Sequence, residues 1–226
     1  MSAALGYAVV IPSANAKNLL ACVRALVVGG VDPGSLILVD DGARAEAQPG
    51  VGPVTWITGI KPFVYARNVN LGITAAAGRD IVIVGDDVEL ITPGGFDLLA
   101  ETARSRSSAG VVSAAVRGVV GNGNQSDDPS RGAAPRSEAD SLAFVCVYVP
   151  RAALDEIGAL DERFDGYGCE DVDFCWRALE AGRELLVDPR CVVGHGRLPS
   201  SFRTKPNIGD LDRRGRDKLR EKWGRG

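Results

Sequence analysis

The chain has 226 residues, 45% of them hydrophobic, which suffices for one well-cored domain and excludes disorder over its whole length. With 26 Lys plus Arg against 29 Asp plus Glu, the formal charge of −3 argues against wholesale electrostatic binding to nucleic acid. No apolar run approaches the ~20 residues that span a bilayer, and residues 1–15 lack a basic flank before an apolar core; the expected location is cytoplasmic, with peripheral membrane contact left open.

Tyr7 to Ile11 is an apolar, β-branched run that reads as a buried strand and breaks at Pro12-Ser13-Ala14-Asn15. Leu19, Leu20, Val23, Leu26 and Val27 then recur at helical spacing, and Leu36 to Val39 forms a second strand that stops at Asp40-Asp41-Gly42. Val54 to Thr58 is a shorter strand. A helix over Tyr65 to Ala77 ends at Gly78, and Asp80 to Val84 is a strand running into Gly85-Asp86-Asp87-Val88-Glu89. The order strand, helix, strand, strand, helix, strand specifies a mainly parallel α/β sheet, whose ligands collect at the carboxyl ends of its strands. Pro12, Asp40, Asp41, Asp86 and Asp87 stand at those ends.

Further on, a helix is expected near Pro93 to Ser105 and a strand near Val111 to Val116. Between Gly118 and Asp140 the residues are mostly Gly, Asn, Ser, Asp and Pro, which reads as a loop of roughly twenty residues, either functional or disordered. Ser141 to Val149 reads as a strand apolar on both faces. A loop Phe164-Asp165-Gly166-Tyr167-Gly168-Cys169 leads into a helix with Val172, Cys175, Trp176 and Leu179 on one face, and Val192-Val193 runs into Gly194-His195-Gly196. From Arg197 to the end, ten basic residues face four acidic ones, a basic tail suited to an anion.

The chemistry-bearing residues are few. The paired carboxylates Asp86-Asp87 repel one another unless a cation or donors compensate them, and hard oxygen ligands suit Mg²⁺ or Mn²⁺ that also holds a phosphate. Glu170-Asp171 opens a helix after a glycine-rich loop, where Asp171 is placed to reach a hydroxyl as general base. His195, the sole histidine, follows a buried strand and is a candidate metal ligand.

In order and spacing, Val9-Val10-Ile11-Pro12-Ser13-Ala14-Asn15, Leu38-Val39-Asp40-Asp41-Gly42, Ala66-Arg67-Asn68-Val69-Asn70-Leu71-Gly72-Ile73, Gly85-Asp86-Asp87-Val88-Glu89-Leu90, Phe164 to Phe174 and His195 resemble the family 2 glycosyltransferases of the GT-A fold. The set spans about residues 7–200, and Glu221-Lys222-Trp223-Gly224 also looks like the end of several bacterial members. The resemblance implies a single GT-A domain over 1–205, with a Rossmann-like, mixed but mainly parallel sheet flanked by helices. Residues 1–90 would form its donor-binding half, 91–205 its acceptor half, and 206–226 the basic tail. It also implies inverting transfer of a sugar from a nucleotide-diphosphate donor, a UDP-sugar for preference, to an acceptor hydroxyl on a glycan, lipid-linked sugar, protein or modified nucleic acid. By that likeness Pro12, Ser13, Asp40 and Asp41 surround the nucleoside, and Arg67 lies near the donor. Asp86 is the ribose acid, Asp87 and His195 hold the divalent metal (Mn²⁺ rather than Mg²⁺), Asp171 is the base, and Glu170 orients hydroxyls. Arg197 and Arg203 would assist at the diphosphate. Two departures stand out: Gly85 replaces the first acid of the family's three-residue motif, and Cys169 precedes Glu170, which leaves the base open to a shift by one residue.

Rival readings fare worse. No glycine follows the first strand as in a dinucleotide fold, Gly118 to Gly123 lacks a Lys-Ser or Lys-Thr ending, and no Gly-x-Ser-x-Gly is present. Five cysteines without regular spacing fit reduced thiols, although Cys169, Cys175, Cys191 and His195 leave a zinc alternative. A noncatalytic nucleotide-sugar or glycan-binding module on the same fold is the other alternative.

Overall fold

Alternation along the strands decides which side chain enters which layer. In β1 (Tyr7–Ser13), Val9 and Ile11 join one core cluster while Ala8 and Val10 join the other, all fully buried, so the strand reads as one unbroken apolar run. The computed structural model describes residues 6–44, 50–138, 140–165, 168–196 and 206–224. After β1 come α1 (Ala16–Val28), β2 (Leu36–Asp40), β3 (Thr55–Thr58), α2 (Tyr65–Ala75), β4 (Asp80–Val84), β5 (Val88–Leu90), α3 (Gly95–Ser105) and β6 (Ala109–Gly118). The second half adds β7 (Arg136–Glu138), β8 (Cys146–Val149), α4 (Arg151–Ile157), α5 (Glu170–Glu180), β9 (Glu184–His195) and α6 (Ile208–Trp223).

The strands form one sheet in the order β3-β2-β1-β4-β8-β6-β9-β5, with β7 also paired to β9. β1, β2, β3, β4, β6 and β9 run one way, and β5, β7 and β8 run the other, so the sheet is mixed and mainly parallel. Residues of α1 and α3 pack on the Val9 face, and those of α2, α4 and α5 on the Ala8 face. Each fully buried Val or Ile of these strands contributes ~1.5–3 kcal/mol by leaving water. From β1 the chain builds outward to β2 and β3, then crosses back to place β4 on the other side of β1. That reversal opens a crevice at the carboxyl ends of β1 and β4.

Two expectations need correction. The stretch from Gly118 to Asp140 is a built part of the fold among its described residues: it carries two short 3₁₀ turns, Gly123–Gln125 and Pro129–Arg131, and then β7. Gln125 anchors it. Its fully buried amide donates to Ser113 Oγ (2.6 Å) and Ala143 O (2.9 Å) and accepts from Ala143 N (2.7 Å), an internal anchor that outweighs the polar composition. The same amide explains why the expected strand over Ser141 to Val149 is ordered as a strand only from Cys146: Ala143 spends its backbone groups on a side chain instead of a neighbouring strand. The basic C-terminal segment, for its part, forms α6, with Leu211 and Leu219 buried.

Candidate active site at the strand ends

The crevice between β1 and β4 is closed by side chains from both. Ser13, the last residue of β1, donates through Oγ to Asp86 Oδ2 at 2.6 Å, just beyond β4. Burial pushes the Asp86 carboxyl up to about 6, with the neighbouring Asp87 charge adding to the rise and bonds from Ser13 and Asn18 opposing it. Asp41 N bonds Ser13 O (2.9 Å), so the end of β2 joins the same corner, where Asp41 is buried. Asp40 organises its own turn: Oδ1 accepts from Gly42 N (2.9 Å) and Arg44 N (2.8 Å). Pro12 is buried within β1 in register with Val39. Arg67, on the first turn of α2, donates to Ile60 O (3.1 Å) and Pro62 O and so ties down the loop after β3.

Asp87 meets His195 across the sheet. Val88 is paired with His195 between β5 and β9, while Gly118 is paired with His195 between β6 and β9, so the His195 backbone is held from both flanks. Its Nε2 lies 3.4 Å from Asp87 Oδ2, and both side chains are nearly buried. Its Nδ1 lies 2.5 Å from Val119 O. A carbonyl only accepts, so Nδ1 carries the proton and the Nε2 lone pair of a neutral ring faces a carboxylate. A proton or a cation between them relieves that repulsion, and the donor set, one nitrogen and carboxylate oxygen, fits Mn²⁺ or Mg²⁺. Among the described residues no three His, Cys, Asp or Glu side chains gather as a closed metal cage. An ion here would draw its other ligands from water or phosphate.

Glycines make this corner. Gly118 has φ +104°, and a Cβ there would stand 2.4 Å from His195 O; Gly196 has φ +94°, and its Cβ would stand 2.5 Å from Val119 Cγ2. Gly85 has a simpler use: a Cβ at that position would lie 3.0 Å from Asp87 Oδ1, so the missing first acid leaves room for the Asp87 carboxylate.

Opposite stand Glu170 and Asp171 at the start of α5. Cys169 precedes them with φ +75°, a left-handed conformation that strains a residue with a Cβ and turns the chain into the helix. Burial, reinforced by the adjacent acids, pushes the Cys169 thiol up to about 11, so it is no thiolate nucleophile. Asp171 Oδ2 accepts from Phe144 N (3.4 Å) and Oδ1 from Val172 N (2.8 Å). The next residue, Val145, accepts through its carbonyl from Gly85 N (3.0 Å), which links the base candidate to the Asp86-Asp87 turn through a short stretch of main chain. Burial raises both carboxyls of the pair, and the Asp171 charge raises Glu170 further; the backbone donors on Asp171 favour its ionised form. One proton therefore rests preferentially on Glu170.

Sequence reasoning missed Tyr65. It is set among all four acids: burial first, then the charges of Glu170, Asp171, Asp87 and Asp86, push its phenol well above the ordinary value, and its hydroxyl reaches Phe144 O at 3.3 Å. The Val119 carbonyl was equally invisible, since no side chain announces it. Gly166, Tyr167, Arg197 and Arg203 lie outside the described residues. The zinc alternative is not assembled: Cys175 Sγ is bonded to the Leu142 backbone, Cys191 packs against Gly95, and the described cysteines are free.

No family model matches the chain. GalNAc-T7, solved with UDP, GalNAc and Mn²⁺, superposes with a TM-score of 0.68 at 14% identity over 94% of this chain and 48% of that one, which shows the fold to be GT-A. A pre-mycofactocin glycosyltransferase of Mycobacterium tuberculosis is 40% identical over 55 residues, 24% of this chain and 11% of its own. An uncharacterized protein of Sinorhizobium fredii, y4gI, is 23% identical across 95% of this chain and 27% of its own. The chain thus spans only a fraction of the length of these curated relatives. No described helix is long and apolar enough to cross a membrane.

Proposed function

We propose that the chain is an inverting, family 2-type glycosyltransferase that moves a hexose-like sugar from a nucleotide-diphosphate donor, UDP-sugar for preference, to an acceptor hydroxyl. The observation that carries this reading is the pairing of two acidic groups across one crevice: Asp87 facing His195, and the Glu170-Asp171 pair joined to it through Phe144 and Val145. Residues up to about 90 serve the donor side. Ser13, Asp40, Asp41 and Asp86 stand where a nucleoside enters at the strand ends, with Pro12 as the wall beneath and Arg67 holding the adjoining loop. Later residues, with β9 returning His195, serve the acceptor side and the diphosphate.

Asp171 is the base and Glu170 the hydroxyl-orienting acid. As the acceptor oxygen forms its bond to the anomeric carbon, its proton passes to Asp171, and the bond from that carbon to the diphosphate oxygen breaks with its electron pair leaving on the diphosphate. Attack from the face opposite the leaving group inverts the centre. Phe144 N and Val172 N keep the Asp171 carboxylate ionised and aimed before the proton arrives, and Tyr65 is hydrogen-bonded to Phe144 O beside it. Asp87 and His195 would hold a divalent ion, Mn²⁺ in preference to Mg²⁺ because imidazole is the softer donor, which supplies charge neutralisation for the departing diphosphate. The approach of Nε2 to the Asp87 carboxylate at 3.4 Å supports this placement.

The test is nucleotide release from a panel of UDP-, dTDP- and GDP-sugars, with mass spectrometry of candidate acceptors. Asp171→Asn is expected to retain donor affinity and lose transfer by on the order of a hundredfold or more. An inactive Glu170→Gln beside an active Asp171→Asn would move the base by one residue; no release from any donor would remove the enzyme reading.

A further inference from the structure

The helix bearing the base candidate has no side-chain cap at its N-terminus, and its first turn carries three acids, Glu170, Asp171 and Asp173. Something else must fix it. Asp173 lies two residues past Asp171, about 200° around the helix, and so faces away from the Phe144 contact. Its carboxylate is fully buried and takes three partners: Arg177 Nε at 2.9 Å from its own helix, and Lys222 Nζ at 2.6 Å and Trp223 Nε1 at 2.9 Å from α6. Trp223 also packs edge-on against Trp176 of α5, ring centroids 5.5 Å apart, and Lys222 reaches Asp161 at 2.8 Å, in the segment that leads toward α5. Lys218 pairs with Asp165 in that same segment.

We propose that Lys222 and Trp223 are positioning residues of the active site: their grip on Asp173 presses the first turn of α5 against Phe144 and so sets where Glu170 and Asp171 stand. The charges of this contact are internally matched, and α6 commits Lys218 and Lys222 to α5 and its approach. A buried carboxylate stripped of such donors is strongly destabilised, which holds α6 in place as long as the native turn persists. The proposal rests on Glu170-Asp171 being the catalytic pair, yet the geometry can be tested without that assumption.

Two readouts decide it in the full-length chain. Amide hydrogen exchange of residues 170–174 reports the turn itself, and hydrolysis of the active UDP-sugar, read as UDP release with water as acceptor, reports the base. Lys222→Met and Trp223→Phe are expected to speed exchange at 170–174 by about tenfold or more and to lower kcat by a similar factor, with donor KM within twofold of wild type. Lys222→Arg should recover most of both. Arg213→Met, which removes an exposed α6 ion pair with Asp210, should change neither. Unchanged exchange in Lys222→Met and Trp223→Phe overturns the proposal whatever the chemistry, as does a loss confined to donor KM. If no UDP-sugar is turned over by wild type, the function falls while the exchange result still decides whether α6 sets the turn.

Discussion

Gly118→Ala is the sharpest perturbation of the His195 corner. Placing an alanine at φ +104° costs roughly 1–2 kcal/mol, as left-handed backbone does for any residue with a Cβ. The added Cβ would stand 2.4 Å from His195 O, and that oxygen is held in the β6–β9 ladder by Val119 N at 3.0 Å. Relieving the clash strains or breaks this hydrogen bond, a further cost of about 1 kcal/mol, so the total is roughly 2–3 kcal/mol. For a chain of this length that corresponds to a fall in Tm of roughly 4–12 °C. Gly94→Ala supplies the comparison, since Gly94 has φ +68° with nothing within 4 Å of its added Cβ, and should cost only about 1 kcal/mol. Thermal melting measures both. His195 being the sole histidine, a single pair of imidazole ¹⁵N signals reports its tautomer, and Gly118→Ala should weaken the Nδ1–H signature. Equal melting losses for the two variants, with an unchanged imidazole spectrum, would refute the claim that this pinch sets the ring.

His195→Ala and Asp87→Ala should each weaken Mn²⁺-dependent UDP binding by at least ~10-fold by calorimetry while binding of uridine alone stays near wild type; full activity of wild type in chelator sinks the metal assignment. Glu170 has its native carboxyl raised from 4.5 to about 8, so its contribution to stability is fully present below pH 4.5 and is lost as pH rises through about 8. Urea melts from pH 5 to 9 should therefore show wild type losing stability relative to Glu170→Gln by up to a few kcal/mol; parallel profiles would contradict burial of the charge. Gln125→Leu leaves the Ala143 backbone groups and Ser113 Oγ without their amide partner and should cost about 2–4 kcal/mol, with faster proteolysis between 118 and 140. Stability within 0.5 kcal/mol of wild type would show that the segment is anchored elsewhere.

The elements that could be read in advance are those whose side chains enforce a period. β1, β2 and β4 are buried on both faces, and β2 and β4 run into acids, so the strands and much of the chemistry at their tips are visible in the residues themselves. β5 and β7 are three residues each, too short to show any period, and β7 is Arg136-Ser137-Glu138, a polar segment ordered by its pairing with the edge of β9. In α6 the charge count concealed the wide spacing of Leu211, Leu219 and Trp223. Glu170, Asp171, Asp86, Asp87 and His195 were recognisable by type and order, whereas Tyr65 lies inside an ordinary helix pattern and acquires its place only when α2 packs beside Phe144.

β9 is the last strand made, yet it lies between two made earlier, β6 and β5, and the described pairing of β5 is with β9 alone. On an emerging chain, β5 therefore waits about a hundred residues for its neighbour, and until then the Asp86-Asp87 turn is held by β4 and the Ser13 bond but has no support through β5. A product ending before Glu184 would present β6 with a long apolar edge open to any other strand, the condition that invites self-association. Nicked or truncated forms should precipitate before they bind nucleotide, and two separately expressed halves should recover the donor site only when the second carries β9.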